Sequence, residues 1–471
     1  MEEKNESKKN ISLTLNNNNF NNYNSIMINF AQDEKEEKLN IISDGQNNQI
    51  NKYFEKERNN INEKEEKNLI INNQHDFKYD ISLNKILPVG LRNLGNSCFM
   101  NCCLQCFYHC AKFTSELLEN HKKYEKLNCP ILGCFLEVLK DLYINGKQSC
   151  KRQIIMLSDN DDDSFDSEDI CCCEKRRVIK RNKKIIYKNE TIPASANELY
   201  IYILNNYTNE LYKNGNDPKV VAEMILSTMN KEIDSNFKYV RDKEIPKNDE
   251  TLLFNHIFNY YENNKTVISS NFYWIKEKVY NCDECGKETY NFQSEYILYF
   301  YPETIINGLN IKIDNNKNKY KLSLENCFDY LHTSEQLDIS LFTCKLCNKR
   351  VKAKSILNYM ATLPKYLVLC ICKDKDEQNP INYLFDYNQE IDLSKYYRKH
   401  PQNNYSTKYK FHCGCFSKSD YFHMIAYCVH FDGIIYEFND SSYQKYDDKS
   451  KDINKYKNPY LLIYRRDDIS I

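Results

Sequence analysis

The segment Gly90–Gln105, GLRNLGNSCFMNCCLQ, constrains this chain more tightly than any other stretch. Its glycines and asparagines break the backbone just ahead of an apolar run with helical spacing, which sets Cys98 at the start of a helix. A thiol attacks as thiolate, and the partial positive charge of a helix N-terminus favours that anion. The amide of Asn93, five residues upstream, can swing back beside the sulfur and donate to a developing oxyanion. One segment thus offers both a nucleophile and an oxyanion donor. Cys103, Cys106 and Cys110 follow helical spacing and read as a core-facing stripe, because a buried free cysteine behaves as a small hydrophobe.

Cysteine is abundant, at 21 in 471 residues. The N-terminal sequence MEEKNESKKN has no apolar signal region, so a reducing compartment, cytoplasmic or nuclear, is expected. There thiols serve metal binding or catalysis rather than disulfides. The formal net charge of −1 gives no bias towards nucleic acid or membrane, and no run of 18 apolar residues exists to span a bilayer. A monomer without nucleic-acid or membrane partners is expected.

Residues 1–80 are rich in Asn, Lys and Glu and too poor in apolar residues to offset the entropy of ordering, so they read as a disordered tail. Helical spacing runs from Asn101 to about residue 142. The acidic run at 158–169, Cys171–Cys172–Cys173 and the basic run at 175–184 read as a solvated insertion over about 145–192. Helices are predicted at 195–212 and 218–233, followed by a polar stretch over 241–265. From Asn271 onward, short segments rich in Tyr, Ile, Val and Phe read as strands. Leu357–Cys372, interrupted at Pro364 and Lys365, reads as a buried strand with its approach. Helices first and strands later favour an α+β fold over a βαβ repeat.

Two Cys-x2-Cys pairs, Cys282/Cys285 and Cys344/Cys347, carry turn residues and can complete a four-thiolate tetrahedral zinc site. Four protein ligands leave no open position for water, so the zinc would be structural. A nucleophilic thiol also needs a histidine beside the sulfur and an acid or amide behind the histidine. His75 lies in the tail, and His121, His256, His332 and His400 sit in polar sequence. His109 is too far along its helix to reach the sulfur. His423 opens the apolar run MIAYCV, a turn at Gly433 follows, and IIYEF ends at Asn439 and Asp440. A hairpin of these strands brings Asn439 or Asp440 alongside His423. His412 is the alternative base, and His430 reads as a strand-end residue.

Cys98 and its surroundings resemble the cysteine box of the ubiquitin-specific proteases, GLxNLGNTCYMNSxLQ, with Ser97, Phe99 and Cys102 as mild departures. The stretch LSLENCFDYLHTSEQLD before the second Cys pair, VKAKSILNYMATLPKYLVLCI after it, and the terminal NPYLLIYRR resemble that family too. The resemblance covers most of residues 85–466 and implies a papain-like cysteine peptidase, α+β, with three parts. A helical thumb takes about 85–235. Zinc-clamped β fingers take about 270–360. A β-rich palm takes about 236–270 and 361–466. By position it implies Cys98 as nucleophile, Asn93 as oxyanion donor and His423 as base. Asn439 is the implied orienter, with Asp440 as its adjacent alternative. Ubiquitin and ubiquitinated proteins are the implied partners. Phe422, Met424 and Ile435 depart from the histidine box. PASANELYIYIL keeps Ala196 and Glu198 of the thumb motif but has Ser195 where an Asp is usual; a helix N-cap is the plain reading of that serine. The implied activity is deubiquitination through a thioester. The alternatives are a weakly active ubiquitin-binding scaffold and a peptidase for a ubiquitin-like modifier.

Overall fold

A computed structural model describes residues 83–127, 129–147, 150–156, 184–214, 217–234, 249–314, 319–333, 341–372, 383–387, 389–401, 404–418, 423–446 and 459–470. The expected tail at 1–80, the acidic and triple-cysteine runs, and Phe422 lie outside the described residues.

Gly95 and Asn96 take left-handed φ values of 86° and 48° and turn the chain into α1, Cys98–Tyr108. All of α1 is buried. Cys103 and Cys106, with Cys110 beyond its end, fill core positions as expected. The helical half continues with α2 (Ala111–Glu119), α3 (His121–Glu125) and α4 (Pro130–Lys147). The apparent insertion is entered and left through an antiparallel ribbon, β1 (Cys150–Met156) with β2 (Lys184–Glu190), in place of an open loop. Isoleucines in both segments favour the extended backbone. Next come α5 (Asn197–Asn214), α6 (Pro218–Glu223), a π-helical turn at Met224–Thr228, and α7 (Met229–Ile233).

The stretch expected to be polar and irregular contains α8, Glu250–Asn263. Leu253, Phe254, Ile257 and Tyr261 make one buried face, and the Asp249 carboxylate caps the helix by accepting from the Leu252 N–H at 2.9 Å. Its polar residues face outward and mask the apolar spacing in the sequence. A short helix, α9 (Ser269–Phe272), leads into the strands. Phe107 of α1, Phe113 of α2 and Phe272 of α9 meet edge to face. Each such buried ring contributes about 1.5–3 kcal/mol through burial.

The strand-rich half runs β3 (Trp274–Cys282), β4 (Glu288–Glu295), β5 (Leu298–Phe300), α10 (Pro302–Gly308), β6 (Ile313–Asp314), β7 (Lys319–Ser323) and α11 (Leu324–Thr333). It continues with β8 (Leu341–Thr343), β9 (Arg350–Met360), β10 (Tyr366–Ile371), β11 (Tyr383–Asp386), β12 (Glu390–Asp392) and β13 (Lys408–Ser417). The last strands are β14 (Met424–Val429), β15 (Ile435–Asn439), β16 (Ser442–Lys445) and β17 (Pro459–Arg466). A central sheet has the order β16-β15-β14-β13-β17-β10-β5, with β12 also paired to β13. A second sheet, β4-β3-β9-β8, carries the Cys pairs at its tip. A small third sheet is β11-β7-β6. The helical first half, the central sheet and the cysteine-tipped sheet give the expected α+β architecture of thumb, palm and fingers. The expected strand within 357–372 resolves into the end of β9 and all of β10, which lie in different sheets and meet at the bend around Pro364. Among the described residues no helix is long and apolar enough to cross a membrane.

Two distant parts of the chain join at Gly90. The Leu91 N–H donates to the Asp440 carbonyl at 2.8 Å, and the Ala194 N–H donates to the Gly90 carbonyl at 2.9 Å. The backbone at Ser441 approaches so closely that a Cβ on Gly90 would lie 2.4 Å from its carbonyl carbon. Gly90→Ala is therefore expected to destabilise the protein by about 1–3 kcal/mol. The check is a lowered midpoint of urea unfolding with an unchanged denaturant slope.

Candidate active site and metal centre

Asn93 is held at both ends. Its Oδ1 accepts from the Gly95 N–H at 2.9 Å and from the Ser97 hydroxyl at 3.4 Å, while its Nδ2 donates to Asp440 Oδ2 at 2.8 Å. Ser97 adds a second brace by accepting from the Leu94 N–H at 2.9 Å, and the Tyr200 hydroxyl donates to the Gly95 carbonyl at 2.5 Å. An NH2 group has two hydrogens, and among the described residues Asn93 Nδ2 donates to Asp440 alone, so one donor remains for a ligand, in a direction fixed by the first.

Cys98 opens α1 and is 7 % exposed. Burial pushes its thiol up from the ordinary value, and the backbone N–H of Met424 works in the opposite direction. Neighbouring Cys102 and Asp440 push it further up, and the Phe99 N–H lowers it again. The net direction is upward, contrary to the expectation from the helix terminus alone. Taking the sulfur anion out of water outweighs the helix N-terminus, whose effect is typically about 0.3–1 kcal/mol.

Met424 follows His423 directly and begins β14, so the Met424 contact brings the sulfur to the histidine segment. β14 and β15 form the expected hairpin, with Ala426 opposite Phe438 and Gly433 at φ 80° in the turn. His423 Nε2 lies 2.6 Å from Asn439 Oδ1 and 3.9 Å from Asp440 Oδ2. An amide oxygen only accepts, so Nε2 carries the ring proton and Nδ1 is left as a base. Both Asp440 oxygens serve other partners: Asn93 holds Oδ2, and Asn101 Nδ2 donates to Oδ1 at 2.8 Å. Between the two candidate orienters, the geometry favours Asn439.

The other histidines sit elsewhere. His412 Nε2 donates to the His109 carbonyl at 2.8 Å, and burial pushes its pKa down to about 4. That nitrogen is taken up at the far end of α1, eleven residues along from Cys98, so the geometry favours His423 over His412 as the base. His109 Nε2 lies 3.0 Å from His430 Nδ1, inside the core just beyond the end of β14. His400 is buried, contrary to its polar sequence neighbours. It stacks on Phe254 at 3.8 Å between ring centroids and pairs with Glu277 at 3.2 Å. Glu250, Glu277 and His400 form a cluster of possible ligands, but Arg398 already donates to both Glu250 oxygens at 2.9 Å. Its guanidinium supplies the positive charge a metal would bring, and the group ties α8 to β3. Ser195 is not the helix cap, since α5 starts at Asn197; its N–H donates to the Asp141 carboxylate.

At the tip of the fingers, all four Sγ atoms of Cys282, Cys285, Cys344 and Cys347 lie within 4.8 Å of one another. The Cys282–Cys347 and Cys285–Cys344 sulfurs are 3.9 and 3.7 Å apart. A tetrahedron of Zn–S bonds of about 2.3 Å has edges of about 3.8 Å, so the cage fits that ion. The two knuckles repeat one backbone design. Cys282 N–H donates to the Lys287 carbonyl and Cys344 N–H to the Lys349 carbonyl, each at 3.0 Å, with Gly286 and Asn348 at φ 68° and 54°.

A raised thiol pKa has a direct consequence for the protein without substrate. The rate of Cys98 alkylation by iodoacetamide is expected to keep climbing with pH beyond the ordinary thiol midpoint of about 8.5. A plateau reached below neutral pH would instead reveal a preformed thiolate–imidazolium pair. Mapping the alkylated peptide separates Cys98 from the other cysteines.

A family model described as ubiquitin carboxyl-terminal hydrolase matches residues 89–464. Over 76 residues the chain is 32% identical to the probable ubiquitin carboxyl-terminal hydrolase 4 of Schizosaccharomyces pombe; this stretch is 14% of the chain and 13% of that relative's length. Among solved structures, the SAGA Ubp8/Sgf11/Sus1/Sgf73 DUB module bound to ubiquitin aldehyde is similar in fold, with a TM-score of 0.52 and 15% identity, covering 83% of this chain and 71% of that one. With a matched span that encloses Cys98, the four finger cysteines, His423 and Asn439, the chain belongs to the ubiquitin carboxyl-terminal hydrolase family.

Proposed function

We propose that the protein is a deubiquitinating thiol peptidase that hydrolyses the isopeptide or peptide bond after ubiquitin's C-terminal glycine through a thioester on Cys98. The observation that carries this reading is the meeting of the Cys98 sulfur with the start of β14, next to a His423 already tied to Asn439 at 2.6 Å.

In this mechanism His423 Nδ1 takes the Cys98 proton as the sulfur attacks the glycine carbonyl carbon. Because burial pushes the Cys98 thiol up, proton transfer to His423 accompanies attack on the bound substrate. The tetrahedral oxyanion accepts from the free Asn93 N–H and from the Cys98 backbone N–H. The carbon–nitrogen bond then breaks as the imidazolium gives its proton to the leaving amine, and the thioester remains. Neutral His423 next takes a proton from water, whose oxygen attacks the thioester. Collapse releases the ubiquitin carboxyl group and returns the proton to the sulfur. Asn439 holds the ring tautomer throughout. The Asp440 carboxylate, 3.9 Å from Nε2, favours the transient imidazolium through space.

The four finger cysteines would hold a structural zinc. When bound it supplies charge neutralisation and cross-linking at the fingertip. Ubiquitin and ubiquitinated proteins are the proposed partners of a monomeric enzyme in the cytoplasm or nucleus, where thiols stay reduced.

The deciding experiment is incubation with a ubiquitin C-terminal electrophile probe. A covalent adduct that disappears in Cys98→Ala is expected. No adduct, with ubiquitin still bound by folded protein, would favour the scaffold; an adduct only with a ubiquitin-like probe would reassign the modifier. The metal reading has its own check. Elemental analysis should give about one zinc per chain, falling to near zero in Cys344→Ser, with loss of order in the fingers. Retention of tight zinc in that variant would overturn the four-cysteine assignment.

A further inference from the structure

Asn101 stands on α1, three residues after Cys98, and is 2 % exposed. Its side-chain NH2 donates to Asp440 Oδ1 at 2.8 Å and to the Arg92 carbonyl at 3.1 Å, so both hydrogens have short partners. Its own Oδ1 is buried and has no hydrogen-bond partner among the described residues. Leaving a carbonyl unmet in the core is costly, and a leucine of similar size would avoid it. The residue's use therefore lies in its two donors. One holds the backbone immediately before Asn93, and the other holds the carboxylate that grips the Asn93 amide.

We infer that Asn101 is a positioning residue for the oxyanion donor, acting through Asp440 and the Arg92 carbonyl to hold the Asn93 amide ready for the transition state. The inference rests on the thioester mechanism proposed above and adds a residue to it. Asp440 alone could pivot about its side-chain bonds; Asn101 on Oδ1 and Asn93 on Oδ2 fix the carboxylate plane between them. The second Asn93 N–H then keeps one direction because the two hydrogens of an amide are coplanar and about 120° apart. Preorganised donors act because they need no reorientation as charge develops.

The test compares three readouts in Asn101→Ala. Ubiquitin hydrolysis should show kcat lowered by about tenfold to a hundredfold with KM close to wild type, since loss of a whole oxyanion donor costs about 10²–10³. Affinity for ubiquitin aldehyde, whose adduct places an oxyanion at the same point, should fall by a similar factor. Alkylation of Cys98 by iodoacetamide, which develops no oxyanion, should keep its wild-type rate. In an Asn93→Ala background, Asn101→Ala should cost little more. If Asn101→Ala fails to fold, the isosteric Asp440→Asn, which can still accept from Asn101 but faces Asn93 with an NH2 when it does so, should show the same loss of aldehyde affinity. A kcat within twofold of wild type, a parallel loss of alkylation, or an undiminished effect in the Asn93→Ala background would overturn the inference. Absence of ubiquitin hydrolysis by the wild-type protein would instead count against the proposed function itself.

Discussion

The grip of Asp440 on the cysteine loop is the contact on which the site depends. Asn93 and Asp440 are 347 positions apart, and the hydrogen bond between them joins the segment before α1 to the turn after β15. The backbone reinforces it, because the Leu91 N–H meets the Asp440 carbonyl and Gly90 has no side chain to hold Ser441 away. Asp440 itself sits at φ 48°, a conformation more open to Asp and Asn than to most residues. Each candidate catalytic group stands on one side of this seam: Cys98 and Asn93 on the helical side, His423 and Asn439 on the sheet side. The seam turns two local motifs into one site.

The chemistry follows from a competition of magnitudes. A helix N-terminus favours a thiolate, but α1 is buried along its whole length, and the same burial that anchors Cys98 strips water from it. Desolvation can shift an ionisable group by several pKa units, which exceeds what a helix end offers. A thiol pushed up by burial needs a base beside it, which makes the histidine tautomer decisive. The Asn439 oxygen sets that tautomer without adding a charge, and Asp440 supplies a negative field from a greater distance.

Much of this was legible in the chain. The Gly95-Asn96 turn, the apolar run after it, the His423–Asn439 hairpin and the paired cysteines are local patterns, and local patterns survive in sequence. Strand spacing alone could not divide the work of Asn439 and Asp440, because adjacent residues differ here only in where the end of β15 points them; the family resemblance ranked Asn439 first. Nor did Asn101 stand out, since its partners Arg92 and Asp440 are remote or on the backbone. The helix α8 was hidden by the polar residues around its buried face, although Asp249 and the spacing of Leu253, Phe254, Ile257 and Tyr261 did mark it. His400 carried no local signal at all. Its burial comes from Phe254 and Glu277, which reach it from other elements.

The fingers carry a four-cysteine cage and an ion-pair network on one sheet. At the root, Ile275 N–H donates to the Thr362 hydroxyl at 2.7 Å and Ala361 N–H to the Ile275 carbonyl at 2.8 Å, while Arg398 and His400 bind the acids of α8 and β3. These contacts anchor the long strands β3 and β9 to the rest of the protein. At the tip, the turns after β3 and β8 have few apolar side chains to bury, and Leu346 between the second pair of cysteines is 45% exposed. A structural zinc contributes on the order of 10 kcal/mol to folding in isolated zinc-finger peptides, where the metal is the core. Here the root already fixes the strands, so a zinc held by the four cysteines would act on the order of the two knuckles more than on the fold beneath them. Fingertip shape is thereby separated from the chemistry at Cys98.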